Sequence, residues 1–86
     1  MIQRLKVPVT VETVYDHRKR FVRPVRLVFD GREYEILQTG YHHTFRAGRT
    51  LYHVFSVASE GMFFRLVLNT DNLFWELEEI ADGEAN

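Results

Sequence analysis

Three of the four histidines lie in the middle of the chain and could bind a metal ion. His42 and His43 are adjacent, and His53 lies ten residues after His43. Because neighbouring residues of a strand point to opposite faces, His42 and His43 cannot both ligate one ion unless the chain bends there. No Asp or Glu stands between residues 36 and 59 to complete such a site. We therefore predict no metal or other cofactor, and expect a solvent-facing pair of His42 and His43 beside a hydrogen-bonded His53.

Catalysis by a nucleophile or by paired carboxylates has little support in the sequence. Neither Ser56 nor Ser59 stands in the glycine-framed turn that exposes a catalytic serine, and there is no glycine-rich phosphate loop. The chain contains no cysteine, which excludes thiolate catalysis, disulfides and Cys-ligated zinc. Glu76 and Glu78 share one face of a strand, as is typical of a solvated strand face. We predict that the protein is not an enzyme.

A basic segment and an aromatic segment together suggest another chemistry, the binding of single-stranded nucleic acid. Cations that could neutralise phosphates are concentrated between residues 18 and 26, and aromatic rings that could stack on bases follow between residues 41 and 46. The candidate binding residues are Arg18, Lys19, Arg20, Arg23, Arg26, Tyr41, His43, Phe45 and Arg46. The isoelectric point of about 6.4 argues against this interpretation, because dedicated nucleic-acid-binding domains are usually basic.

The two halves of the chain carry opposite charge. Residues 1–50 contain ten Lys or Arg and five acidic residues, whereas residues 51–86 contain one Arg and seven acidic residues. Antiparallel neighbours could mix these charges within one molecule. Alternatively, the basic half of one copy meets the acidic half of a second copy or of a protein partner. The main prediction is a non-enzymatic interaction module that forms a homodimer or binds a protein partner. There are two alternatives to this prediction: the ligand is single-stranded nucleic acid, or it is a small molecule bound at the mouth of a barrel.

These side chains must be positioned by strands, of which the hairpin around Asp30 and Gly31 is the clearest. An Asp-Gly pair between alternating apolar residues is typical of a two-residue type I′ turn, because both residues tolerate a positive φ. The turn fixes the register, with one apolar face and one face that carries an Arg-Glu pair. The predicted partners are Phe29 with Arg32, Val28 with Glu33, Leu27 with Tyr34, Arg26 with Glu35 and Val25 with Ile36.

The remaining strands follow from apolar alternation. A strand over residues 5–14 contains Pro8, which favours an edge position. The basic connection 16–23 leads to the central hairpin, whose second strand runs from Arg32 to about Thr39. Residues 40–49 are expected to form a long functional loop, or else a strand extension with a bulge at Gly40. Two further strands cover residues 50–58 and 62–69. The second is apolar on both faces, which indicates the most enclosed position in the sheet.

The last two hairpins have predicted registers. A two- or four-residue loop near Gly61 keeps the apolar residues of both strands on one face. It aligns Phe64 with Phe55, Leu66 with His53 and Leu68 with Leu51. A turn centred on Asp71 and Asn72 pairs Leu68 with Trp75, Leu66 with Leu77 and Arg65 with Glu78. The final strand ends near Ile80.

These segments predict an all-β fold, a six-stranded antiparallel meander curled into a small barrel or a strongly bent sheet. The 86 residues form one small all-β domain, with a frayed acidic tail at residues 81–86. The predicted core comprises Val9, Val11, Val25, Leu27, Tyr34, Ile36, Phe55, Val57, Leu66, Leu68, Trp75 and Leu77.

The sequence also bears on location. The first twelve residues lack the apolar run of a signal peptide, and no apolar segment reaches membrane-spanning length. Together with the absence of cysteine, this predicts a cytoplasmic protein without membrane contact.

The succession of strands resembles a family of small uncharacterised bacterial domains. Its pattern runs Arg-Pro-x-Arg, Gly-Arg-x-Tyr, Tyr-x-Val, and a closing Asp followed by Trp-x-Leu. The matching residues are Arg23, Pro24, Arg26, Gly31, Arg32, Tyr34, Tyr52, Val54, Asp71, Trp75 and Leu77, which span about 55 residues. Members tend to have Trp where this chain has Phe29. The resemblance implies a bacterial, cytoplasmic, all-β domain and no particular activity.

Overall fold

The computed structural model describes residues 1–82, which contain eight β-strands. They are β1 (Ile2–Pro8), β2 (Thr10–Asp16), β3 (Phe21–Phe29), β4 (Arg32–Glu35), β5 (Gln38–Ala47), β6 (Thr50–Ser59), β7 (Met62–Asn69) and β8 (Phe74–Asp82). The strands form a five-stranded sheet in the order β1-β8-β7-β6-β5 and a three-stranded sheet in the order β2-β3-β4. All paired strands are antiparallel. The all-β prediction is confirmed.

Eight strands are found instead of six because two of the predicted strands change sheets. The predicted strand over residues 5–14 is divided at Val9 into β1 and β2. The predicted strand from Arg32 to about Thr39 is divided at Ile36 and Leu37 into β4 and β5. Backbone hydrogen bonds hold both corners. Val9 N donates to Trp75 O at 3.2 Å, and Leu37 N donates to Ala58 O at 2.8 Å.

The prediction of a six-stranded meander curled into a barrel or a single bent sheet is therefore wrong. Residues 1–82 form two sheets and no closed barrel. Apolar alternation could not reveal this, because it continues through the corner: Val7 of β1, Val9 at the corner and Val11 of β2 all pack against the same core. A period of two shows which residues face the core but contains no signal for a change of sheet.

The first and last strands of the described chain are neighbours. β1 pairs with β8, with Ile2 opposite Ala81. β1 is an edge strand, as Pro8 predicted. Ala81 and Asp82 belong to β8, so the tail predicted for residues 81–86 does not begin at residue 81. The rest of that tail lies outside the described residues.

The central hairpin has the predicted register. The pairs Phe29–Arg32, Val28–Glu33, Leu27–Tyr34 and Arg26–Glu35 are all present. Ile36 lies at the corner, where its N–H donates to the carbonyl of Val25 at 3.0 Å. Asp30 and Gly31 have φ angles of 55° and 77°, as a type I′ turn requires.

The other two hairpins differ from the prediction in detail. β6 and β7 place their apolar residues on the predicted face, and the turn has two residues, which is one of the predicted lengths. These residues are Glu60 and Gly61, so Phe55 pairs with Leu66 instead of Phe64. Between β7 and β8, the pairs Leu68–Trp75 and Leu66–Leu77 are as predicted. A register shift then places Arg65 opposite Glu79 instead of Glu78. β7 lies in the middle of its sheet, as its apolar faces predicted.

Residues 40–49 do not form the predicted long loop. Residues 38–47 form β5, and the turn to β6 contains only Gly48 and Arg49. The ladder shifts register between Thr39 and Tyr41, so the alternative of a strand extension with a bulge at Gly40 is correct. The strand was not predicted because the residues on the core side of β5 are polar: His42, Thr44 and Arg46. The apolar alternation that indicates a strand is therefore missing there.

The core lies between the two sheets. Six of the twelve predicted core residues are buried and the other six are half-buried. The buried ones are Leu27, Phe55, Val57, Leu66, Leu68 and Leu77, and Phe64 is buried in addition. Val54 and Val67 are also buried, but on the other side of the five-stranded sheet. We call the face of the five-stranded sheet that carries Phe55, Leu66 and Leu77 the inner face. The opposite side is the outer face, which the three-stranded sheet does not cover.

Candidate interaction site

The aromatic side chains of β5 lie on the outer face. Tyr41, His43 and Phe45 are alternate residues and point to one side of the sheet; we call them the β5 stripe. The ring centroids of Tyr41 and His43 are 5.2 Å apart. Phe45 stacks on Tyr52 of β6 at 4.9 Å with an interplanar angle of 10°. Tyr41 is 61% exposed and Phe45 is 44% exposed, so the stripe offers aromatic surface to a partner.

A groove of about 810 Å³ runs along the outer face beside the β5 stripe. Phe45 and Tyr52 line it from β5 and β6, Val67 lines it from β7, and Phe74 lines it from β8. Phe74 is 68% exposed. The sequence pattern did not single out Tyr52 or Phe74 as candidate binding residues, because the register that joins them to Phe45 depends on β5 being a strand.

Within residues 1–82, the side chains that line the groove and the neighbouring depression of the outer face include equal numbers of cations and carboxylates. The cations are Arg4, Lys6 and Arg65, and the carboxylates are Glu76, Glu78 and Glu79. Arg65 contacts Glu78 at 3.5 Å and Glu79 at 3.3 Å, and Arg4 contacts Glu79 at 3.5 Å. Arg4 comes from the basic half of the chain and Glu79 from the acidic half, so antiparallel pairing mixes the two halves at this point.

A pair of histidines lies on the inner face beneath the β5 stripe. His42 Nε2 and His53 Nδ1 are 2.7 Å apart, and their ring planes lie within 10° of each other. The imidazole of His42 packs on Phe55 with ring centroids 4.6 Å apart, and Phe21 of β3 meets it edge-on at 5.0 Å. The pair therefore belongs to the contact between the two sheets.

The expected arrangement of the histidines is partly wrong. His53 is hydrogen-bonded as expected, and His43 is exposed, but His42 is half-buried and is itself the partner of His53. The reason is that β5 continues as a regular strand through this point. Its alternation turns His42 toward Phe21 and His43 toward solvent.

Burial lowers the pKa of both histidines of the pair. For His42, loss of hydration is the main cause, and positive charge on His53 and then on His43 would lower its pKa further. For His53, burial alone lowers the pKa. Both rings are therefore neutral at pH 7, and one donates its N–H to the unprotonated nitrogen of the other.

The two ring nitrogens face each other across one shared proton, so they are not presented to a metal ion. Within residues 1–82, no three His, Asp or Glu side chains lie close enough together to hold one. The chemistry that the pair can perform is proton exchange in a partly apolar environment.

The basic segment forms the turn between β2 and β3. Asp16 Oδ1 accepts the backbone N–H groups of Arg18 at 2.9 Å and Lys19 at 3.4 Å, which shapes the turn. Arg18, Lys19, Arg20 and Arg23 are exposed. Among residues 1–82, none of these four forms an ion pair. They remain available to anions.

The structure separates the candidate binding residues into different surfaces. Arg26 pairs with Glu12 and Glu33, each at 3.3 Å, so two carboxylates would compete with a phosphate for its guanidinium. Arg46 is an even-numbered residue of β5, so it shares the side of His42 and points away from the β5 stripe. The rings of the β5 stripe and the guanidinium of Arg46 therefore lie on opposite sides of one sheet.

Comparisons of the chain with known protein families, with curated proteins and with solved structures found no match. Residues 1–82 fold as strands and turns, without a helix that could span a membrane.

Proposed function

We propose that the protein is a non-enzymatic, cytoplasmic interaction module that self-associates through the outer face of its five-stranded sheet. The observation that carries this proposal is the β5 stripe with Tyr52, an exposed aromatic surface beside an open groove. Contiguous exposed apolar surface marks interaction sites on soluble domains, and aromatic residues are enriched at the centre of interfaces.

The charge on the outer face favours a second copy of this chain as the partner. In a symmetric dimer the same surface meets itself, so a strongly charged face would be repelled by its own copy. The three cations and three carboxylates that line the groove and its neighbouring depression have opposite charge, and Arg65 already pairs with Glu78 and Glu79. The aromatic surface can therefore meet a second copy without net repulsion.

Single-stranded nucleic acid is a second candidate ligand, supported by the exposed cations of the β2–β3 turn. It is less well supported because binding of this kind combines cations and stacking rings along one groove. Here Arg46 and the β5 stripe are on opposite sides of the sheet. The other alternative, binding of a small molecule at the mouth of a barrel, is not proposed further, because residues 1–82 form no closed barrel.

The test is sedimentation equilibrium of the purified protein over a wide concentration range. We expect a reversible monomer–dimer equilibrium that is weakened at least tenfold by Phe45→Ser, because burying a phenylalanine side chain contributes about 1.5–3 kcal/mol. Tyr15→Ser is the matched control, since Tyr15 is an exposed aromatic residue of β2 in the other sheet. A protein that stays monomeric at every concentration would overturn the proposal, as would equal effects of the two substitutions.

A further inference from the structure

β5 is a free edge of the five-stranded sheet. It is ten residues long, contains no proline, and pairs with β6 on one side only. Opposite residues of an antiparallel ladder alternate between hydrogen-bonded and non-hydrogen-bonded pairs. The two-residue turn at Gly48 and Arg49 makes Ala47 and Thr50 a hydrogen-bonded pair. The backbone N–H and C=O groups of His42, Thr44 and Arg46 therefore point away from β6, toward the free edge.

The other edges are protected against strand addition. β1 contains Pro8 and an irregular register around Lys6, which has a positive φ of 59°. β2 has a register shift between Glu12 and Thr13, and β4 is only four residues long. Bulges, prolines and short length are the devices by which edge strands avoid pairing with other chains. Among the strands of residues 1–82, β5 is the long edge whose one bulge, at Gly40, lies near its start, and its residues 41–47 pair with β6 without interruption.

We infer that two copies of the chain associate by pairing their β5 strands antiparallel about a two-fold axis near Thr44. This deepens the proposed self-association and rests on it. The pairing joins the two five-stranded sheets into one continuous ten-stranded sheet, and it satisfies the edge groups of His42, Thr44 and Arg46 in both copies. The two β5 stripes then adjoin on the outer face, with Phe45 of each copy opposite His43 of the other.

The side chains of β5 suit pairing with a second copy. In this register Thr44 faces its own counterpart, and Arg46 faces the neutral His42. Residues 42–46 contain one Arg and no Lys, Asp or Glu, so no two side chains of these types with like charge stand directly opposite each other. An aromatic residue opposite another ring is among the favourable cross-strand pairs. A second β5 strand is therefore complementary to β5 in both backbone and side chains.

The experiment compares Thr44→Pro with Thr44→Val by sedimentation equilibrium. Proline removes an N–H that β6 does not use, so the ladder with β6 survives, but the edge loses its central donor. We expect Thr44→Pro to lose dimerisation, with a dissociation constant raised at least tenfold. Thr44→Val keeps the backbone donor and should dimerise like the wild type. Circular dichroism checks that both variants are folded.

Amide hydrogen exchange in the wild-type protein gives a second measurement that needs no substitution. The amides of Thr44 and Arg46 should exchange more slowly at concentrations where the dimer forms than at high dilution. If the protein dimerises while these amides stay unprotected, or while Thr44→Pro dimerises normally, the edge pairing is wrong and self-association through another part of the outer face stands. A wild-type protein that is monomeric throughout overturns both proposals.

Discussion

His42 and His53 are hydrogen-bonded through their rings although they do not face each other in the ladder. His42 pairs with Phe55, and His53 pairs with Thr44. The contact is therefore diagonal, and it brings Nε2 of His42 within 2.7 Å of Nδ1 of His53. Phe21 of the three-stranded sheet packs edge-on against His42, so the pair lies at the contact between the two sheets.

The free energy of unfolding is expected to fall as the pH is lowered below about 6.5. Burial lowers the pKa of His42 and His53 in the folded state, whereas the unfolded chain has the ordinary value of 6.5. In acid the unfolded chain therefore binds more protons than the folded protein, so protonation favours unfolding. The stabilisation is fully present above pH 6.5 and is lost as the pH falls through the folded pKa. Urea unfolding between pH 8 and pH 5 measures this dependence.

Two single variants assign the pH dependence to the pair. His53→Leu removes one titrating group and the partner of His42, so the fall in stability with acid should become shallower. His17→Gln is the control, because His17 is exposed in the turn between β2 and β3 and is not part of the pair. A fall in His53→Leu as steep as in the wild type would contradict the assignment.

Truncation of the core should be costly in both sheets. Leu27 of β3 and Leu66 of β7 are both 0% exposed and belong to one cluster between the sheets. We expect Leu27→Ala and Leu66→Ala each to lower the free energy of unfolding by about 2–5 kcal/mol. Leu37→Ala at the exposed corner should change it by less than about 0.5 kcal/mol. Chemical denaturation measures all three, and a small effect of Leu27→Ala would mean that the three-stranded sheet contributes little to the core.

Two glycines of the central region should respond differently to alanine. Gly31 has a φ of 77°, a conformation that is unfavourable for alanine, so Gly31→Ala should lower the free energy of unfolding by about 1 kcal/mol. Gly40 lies at the bulge, but its φ is not in the left-handed region, and an added Cβ would lie 3.7 Å from Ser56 O. That is an ordinary contact, so Gly40→Ala should be nearly neutral in the same denaturation assay. A larger loss for Gly40→Ala would show that the bulge cannot accept a side chain.

The contrast between the central hairpin and β5 explains how much of the structure could be predicted. Asp30 and Gly31 determine their turn locally, and the register of four residue pairs followed from them. The strand β5 has no comparable local signal, because the residues on its core side are the polar His42, Thr44 and Arg46 instead of the apolar residues expected there. The change of sheet at Val9 is determined by packing between segments that are distant in the sequence. The alternation of apolar residues along one strand gives no information about such packing.

The same distinction applies to the candidate site. The aromatic residues Tyr41, His43 and Phe45 were identified from their types, and they do share one face. Their separation from Arg46 follows from alternation along β5, and the partnership of His42 with His53 and Phe21 follows from the register with β6 and from contact with β3. Neither relationship could be derived while residues 40–49 were interpreted as a loop.

The separation of the basic β2–β3 turn from the β5 stripe leads to a final prediction about single-stranded nucleic acid. Any non-specific binding measured by fluorescence anisotropy at low salt should depend on the exposed β2–β3 turn alone. Replacing Arg18, Lys19 and Arg20 with Ala removes three cations, so the slope of log affinity against log salt should become shallower by about 2. Phe45→Ala should leave that affinity unchanged, because the β5 stripe lies on a different surface. If Phe45→Ala weakens binding as strongly as the triple variant, the rings and the cations act on one strand. The nucleic-acid interpretation would then replace self-association as the function of the outer face.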